Sequence, residues 1–166
     1  MEYEPTTSVA RLPMTSKIGM ASAVPRGLFA GVVGTAVMTA FQKFVEMPLT
    51  GRADSYAPAA FAQHVLPVSP TSARGWSRLN YATHFALGGV WGTAYGVAAA
   101  MGFRGQTAVN AIFAVMYPGD VVLNMALGLY RPSTWTTQDW SVDLVEEYLQ
   151  AQATGVLFDR VLDPRR

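Results

Sequence analysis

The sequence predicts an all-α integral membrane protein, a bundle of four transmembrane helices, with the fourth helix alternatively lying at the membrane interface. Three observations predict it. Charged residues make up only 14% of the 166 residues while hydrophobic ones make up 51%, against the roughly 25% charge usual for soluble domains. The apolar residues gather into long runs separated by turn chemistry, and the run from Leu79 to Phe103 carries no Asp, Glu, Lys or Arg. Wound at about 100° per residue, each run places its polar and small side chains on one stripe and leaves an apolar remainder suited to lipid. Mean hydropathy is a modest +0.20, so distribution decides the class.

Residues 1–26 read as a disordered cytoplasmic tail, with Glu2, Glu4, Arg11, Lys17 and Arg26 among Pro5, Pro13 and Pro25. A cleaved secretory signal would carry a basic start and an apolar stretch of about 7 to 15 residues ending at small residues. Here the apolar stretch begins late and runs into Gln42, Lys43 and Glu46, so a retained helix is expected. Residues 27–162 then form a single transmembrane domain.

A spanning helix needs about 20 mostly apolar residues. The first is expected over 27–47, closed by Pro48, which cannot continue a helix. A loop over 48–78 follows. Within it, Ser55 to Leu66 reads as a short interfacial helix bracketed by Pro67 and Pro70. The second helix, 79–102, lies in the uncharged run and is the clearest spanning signal. The third, 106–130, carries one charge, Asp120, just after Pro118-Gly119, a pair that suggests a kink with its freed carbonyls satisfied inside the bundle. The fourth, 139–162, carries Asp143, Glu146, Glu147, Asp159 and Arg160. Its uncharged run, Tyr148 to Phe158, covers roughly 16 Å, about half the hydrocarbon core. It is expected to span with its acidic face turned inward; a surface-lying amphipathic helix is the alternative.

With four crossings, both termini and the 2–3 loop share one side, which holds Arg11, Lys17, Arg26, Arg104, Arg160, Arg165 and Arg166. The other side holds Lys43, Arg52, Arg74, Arg78 and Arg131. The excess of basic residues makes the termini cytoplasmic. Trp76, Tyr81, Tyr130, Trp135 and Trp140 gather at the opposite side, where an aromatic belt would sit.

The polar stripes carry the functional expectation. Thr35, Thr39, Gln42 and Glu46 fall within about 60° on helix 1, and Asp139, Asp143, Glu146, Glu147, Gln150 and Thr154 within about 100° on helix 4. Helix 3 aligns Tyr117, Asp120 and Asn124; helix 2 offers His84 with Gly88, Trp91 and Tyr95. Glu46, His84, Asp120, Asp143 and Glu147, with Asn124, are expected to converge in the outer half of the bundle. Asp120 is the deepest, roughly 15 Å below the outer end of its helix. A charge at bilayer depth costs about 2.5 to 3.5 kcal/mol, so such groups face the interior or a wet cavity. The functional reading is a hydrated acidic pocket. The structural alternative makes these side chains interhelical hydrogen-bond partners, each contributing about 0.6 kcal/mol.

Other chemistries fare worse. The net charge of +1, with no basic cluster interleaved with aromatics, gives no case for nucleic acid. Cysteine is absent, which removes disulfides and thiolate chemistry. The two histidines, His64 and His84, form no Glu-x-x-His pair of the kind di-iron bundles use, so no metal or cofactor is expected. No nucleophile elbow, P-loop or dinucleotide fingerprint occurs. Gly27, Gly31 and Gly34, and Gly88, Gly92 and Gly96, instead form small-xxx-small ladders for close helix packing, within the chain or between subunits.

The string AGVVGTAVMTAFQKFVEMP of helix 1, with HFALGGVWGTAYG of helix 2, resembles the YagU-like proteins, small bacterial inner-membrane proteins with little assigned biochemistry. Met38-Thr39 and His84 are its least generic positions. The resemblance covers about 30 residues, implies an inner-membrane location and brings no catalytic residues with it; the charged fourth helix departs from it. The expected function is that of a non-enzymatic accessory or structural subunit of the membrane, with the bilayer and sister or other membrane subunits as partners. The alternative is a small proton- or cation-linked transporter or channel-like protein, and a membrane enzyme ranks third.

Overall fold

A computed structural model of the chain describes residues 18–164. Most of the expected tail, residues 1–17, lies outside the described residues. Among those described, every regular element is helical: α1 (Met20–Thr50), α2 (Ala57–Val65), α3 (Ala73–Met101), α4 (Gly105–Ala126) and α5 (Thr137–Leu157). α1 packs along α3 and α5, and α4 closes the group against α5 and α3. The short α2 lies on α3, held by Asn80, whose Oδ1 accepts from the Ala59 N–H at 3.1 Å and whose Nδ2 donates to the Ser55 carbonyl at 3.0 Å.

Boundaries differ from expectation where local chemistry overrides the reading. α1 begins at Met20, not 27, and holds Pro25 in its second turn; that close to the start, the missing N–H removes a single ladder bond. At the other end Pro48 does not stop it. A π-turn over Gln42–Glu46 widens the helix and restarts it at Met47, so Pro48 sits in the first turn of a new stretch, where its lost donor has no partner to leave. α3 starts six residues before 79 because Ser72 caps it, accepting from the Gly75 N–H at 3.1 Å. α4 ends at Ala126, not 130. Gly128 takes φ 73 and the Leu129 N–H turns back to the Asn124 carbonyl at 2.8 Å, a left-handed helix stop. α5 opens on a capping box between Thr136 and Asp139 and runs into a second π-turn, Phe158–Leu162, close to the expected 139–162.

The six ladder glycines all sit at helix–helix contacts inside the chain. A Cβ on Gly31 would lie 2.7 Å from the Gly92 nitrogen and 2.8 Å from its Cα, and one on Gly27 would meet Gly96 at 3.0 Å. One on Gly88 would lie 2.9 Å from the Thr35 Cβ. Only glycine allows these two backbones to approach so closely. Gly34 serves a different contact, facing the Gln150 carbonyl of α5 at 2.8 Å.

Two helices, Met20–Thr50 and Gly105–Ala126, are long and apolar enough to cross a membrane. α3, expected to be the clearest span, is long enough but diluted by Gly, Tyr, Trp, Thr and His, and α5 by its acids. Only 28% of the most apolar stretch of each candidate helix is buried, whereas the core helix of a water-soluble domain is mostly buried. Their flanks expose large apolar side chains, such as Val115 at 71% and Phe29 at 53%, while Thr35, Glu46, Asn124, Glu146, Gln150 and Thr154 are buried. On these faces the distribution inverts the soluble pattern, around an apolar core that includes Tyr95 and Phe158.

The end of the bundle nearest the described termini is clasped by charge. Asp159 accepts from the Tyr95 hydroxyl at 2.6 Å and the Gly105 N–H at 2.8 Å, and lies 3.5 Å from the Arg104 guanidinium. Arg104 also pairs with Asp163 and sits over the Phe158 ring, and Arg26 reaches Asp163 at 3.1 Å.

Candidate functional site

At the other end the four long helices diverge around a cavity of about 460 Å³. Its walls follow from the helical stripes. α1 contributes Met38 and Gln42, α3 contributes His84 and Trp91, α4 contributes Asp120 and Asn124, and α5 contributes Asp143, Glu146, Glu147 and Gln150. The connections complete it with Arg52 from the α1–α2 loop and Tyr130 and Trp135 from the α4–α5 loop.

Five of the six pocket residues expected from sequence, Asp120, Asp143, Glu147, His84 and Asn124, line this one cavity. Glu46 does not. It is 5% exposed, accepts a 2.7 Å hydrogen bond from the Thr50 hydroxyl and lies 3.7 Å from Arg52; the π-turn carries it past the cavity wall. Asp120 is shallower than expected, about 9 Å below the end of α4, because that helix stops at Ala126.

Hydrogen bonds fix most of the polar groups. Tyr117 donates to Asp143 at 2.9 Å, Gln42 donates to Glu146 Oε2 at 3.3 Å, and Thr39 meets His84 Nε2 at 3.3 Å. Asn124 Nδ2 donates to the Asp120 carbonyl at 3.0 Å, bracing the backbone after Pro118-Gly119. Two buried side-chain oxygens have no hydrogen-bond partner among the described residues: Glu146 Oε1, at the cavity, and Asp159 Oδ1, at the clasped end, 3.5 Å from Arg104. Among the described residues, no Lys or Arg nitrogen lies within 4.0 Å of Asp120, Asp143, Glu146 or Glu147. Arg52 stands at the rim, 3.7 Å from Asp139 as well as from Glu46. Lys43 is engaged elsewhere, by Asp54.

The electrostatic surroundings are therefore strongly negative. Their effect reaches the α4–α5 loop, where burial first, and then the charges of Asp120, Asp143 and Glu147, push the Tyr130 phenol well above its ordinary range. Tyr130 stays a neutral hydroxyl throughout physiological pH.

No protein-family model, curated protein or solved structure matches this chain. The site must be read from its own chemistry.

The pocket expected from sequence leaves out three parts of it. Glu146 is on the acidic face of helix 4, and its spacing of three residues from Asp143 and four from Gln150 puts it on the same helix face as both. Tyr130 and Trp135, expected in an aromatic belt, also help wall the cavity. Arg52 had no signal, since nothing in a loop sequence tells which way a long cation folds back.

Proposed function

We propose a non-enzymatic, multi-pass membrane protein whose four long helices cross the bilayer and whose acidic cavity takes up cations or protons. One observation carries this reading: Asp120, Asp143, Glu146 and Glu147 share a cavity of about 460 Å³ and lack any Lys or Arg partner within 4.0 Å among the described residues. Side chains that served only to glue helices would be paired and packed, with no hollow between them. Carboxylates at membrane depth are costly enough that a wet cavity or a cationic occupant is their usual company. An accessory or structural subunit has no need of such a cavity, so that reading ranks second.

The resemblance to YagU-like proteins and the basic residues flanking the termini support an inner-membrane location with cytoplasmic termini and a cavity facing outward. The outward-facing apolar flanks would meet lipid. Any association with sister or other membrane subunits would use those flanks, because the glycine ladders are occupied within the chain.

Reconstitution into proteoliposomes tests the reading. Proton or monovalent-cation flux driven by an imposed gradient should appear with the wild type and vanish with Asp120→Asn. Absence of any flux in well-inserted wild-type protein, or full flux in Asp120→Asn, would remove the transport reading.

A further inference from the structure

Resting on that cation-binding reading, we infer that the cavity's occupant is an organic ammonium ion held between carboxylates and aromatic rings, not a bare metal ion. The deciding feature is Glu146. Its side chain is 9% exposed, it lines the cavity, and its Oε1 has no partner while Oε2 is held by Gln42 at 3.3 Å. A buried carboxylate oxygen left unmatched is strongly unfavourable unless something donates to it. An ammonium N–H supplies the missing donor.

Two further features choose the ligand class. Among the described residues no three His, Asp or Glu side chains are grouped to hold a metal ion, and a hollow of about 460 Å³ far exceeds one ion. That volume falls in the range of small-molecule sites, roughly 300 to 1,000 Å³. Trp91, Tyr130 and Trp135 line the same cavity, and aromatic faces attract organic cations through the ring quadrupole. Carboxylates and aromatic rings in one lining match an ammonium carried on an apolar body.

Arg52 acts as a built-in rival. Its guanidinium stands at the rim, 3.7 Å from Asp139 and Glu46, and its charge opposes a second cation entering beside it.

The same ammonium chemistry is offered by a soluble primary amine and by the headgroup of an ethanolamine lipid. Full-length protein in detergent should bind benzylammonium saturably by titration calorimetry, with tryptophan fluorescence changing in step, whereas benzyl alcohol should not bind. Glu146→Gln should weaken binding by at least about tenfold, and Trp135→Leu by about fivefold. Arg52→Gln should tighten it by about fivefold, a gain that misfolding cannot produce. In nanodiscs of constant anionic-lipid content, an affinity that falls when phosphatidylethanolamine replaces a neutral glycolipid assigns the site to a headgroup; an unchanged affinity assigns it to a soluble amine. Binding that is absent, or indifferent to both Glu146→Gln and Arg52→Gln, overturns the inference. If Asp120→Asn still abolishes proton or metal-cation flux in that case, the broader cation reading survives without the ammonium ligand.

Discussion

Asp159 shows how much a single side chain can tie together. Its carboxylate receives the Tyr95 hydroxyl of α3 and the Gly105 N–H that opens α4, beside the Arg104 guanidinium. Replacing it by Asn keeps the shape and removes the charge, so the two charge-assisted hydrogen bonds weaken and Arg104 is left with Asp163. Asp159→Asn should destabilise the protein by about 1 to 3 kcal/mol, read as a lowered midpoint of thermal or denaturant unfolding in detergent. Arg160, its exposed neighbour, makes a stringent control: Arg160→Gln should change stability by no more than about 0.5 kcal/mol. Equal effects at the two positions would show that helix-end charge alone, and not the clasp, holds this end. Sequence reading counts Arg26, Arg104 and Arg160 as flanking cations and Asp159 as a charge of the fourth helix; the pairing of Arg104 with Asp159 spans 55 residues and leaves no periodic trace.

At the scale of elements, the contact between α1 and α3 depends on glycine at particular positions and tolerates substitution at others. The backbones of Gly31 and Gly92 leave no room for a Cβ, whereas a Cβ on Gly89 would sit at an ordinary 3.5 Å from the Leu28 side chain. Gly92→Ala should therefore cost about 1 to 3 kcal/mol through overpacking. Gly89→Ala should be neutral or stabilising by up to about 1 kcal/mol, since alanine favours the helix. Parallel unfolding curves of the two variants check this, and a loss at Gly89 matching that at Gly92 would refute the close-approach account. The polar stripes were legible for the same geometric reason as the ladders: Thr35, Thr39, Gln42 and Glu46 recur at helical spacing, and three of the four keep contacts with the interior of the bundle. The π-turns were not legible. A π-turn adds one residue within a turn without a composition of its own, and here it carries the helix through Pro48 and moves Glu46 off the cavity wall.

For the whole molecule, the decisive question is which solvent surrounds each end, and the sequence supplies a clean reporter because it contains no cysteine. Single cysteines can be placed at exposed positions: Ala53 and Ser133 at the cavity end, Phe103 and Pro164 at the clasped end. If all four long helices cross the bilayer, Ala53→Cys and Ser133→Cys should react with a membrane-impermeant maleimide on intact cells stripped of their outer membrane. Phe103→Cys and Pro164→Cys should react only after the membrane is opened. Pro164 decides the standing of α5, the helix whose acids left its placement ambiguous in sequence. Should α5 lie flat on the outer surface, Pro164→Cys would label together with Ser133→Cys, and the acidic face would meet headgroup water. In the structure α5 packs along α1 and α4, and Asp143, Glu146 and Glu147 line the cavity, an arrangement that suits surroundings in which outward-facing charge would be penalised. Labelling of all four positions on intact cells, or recovery of the protein without detergent in the supernatant of a high-speed spin, would mean that water surrounds the bundle. The inverted distribution of polar and apolar side chains would then have no cause.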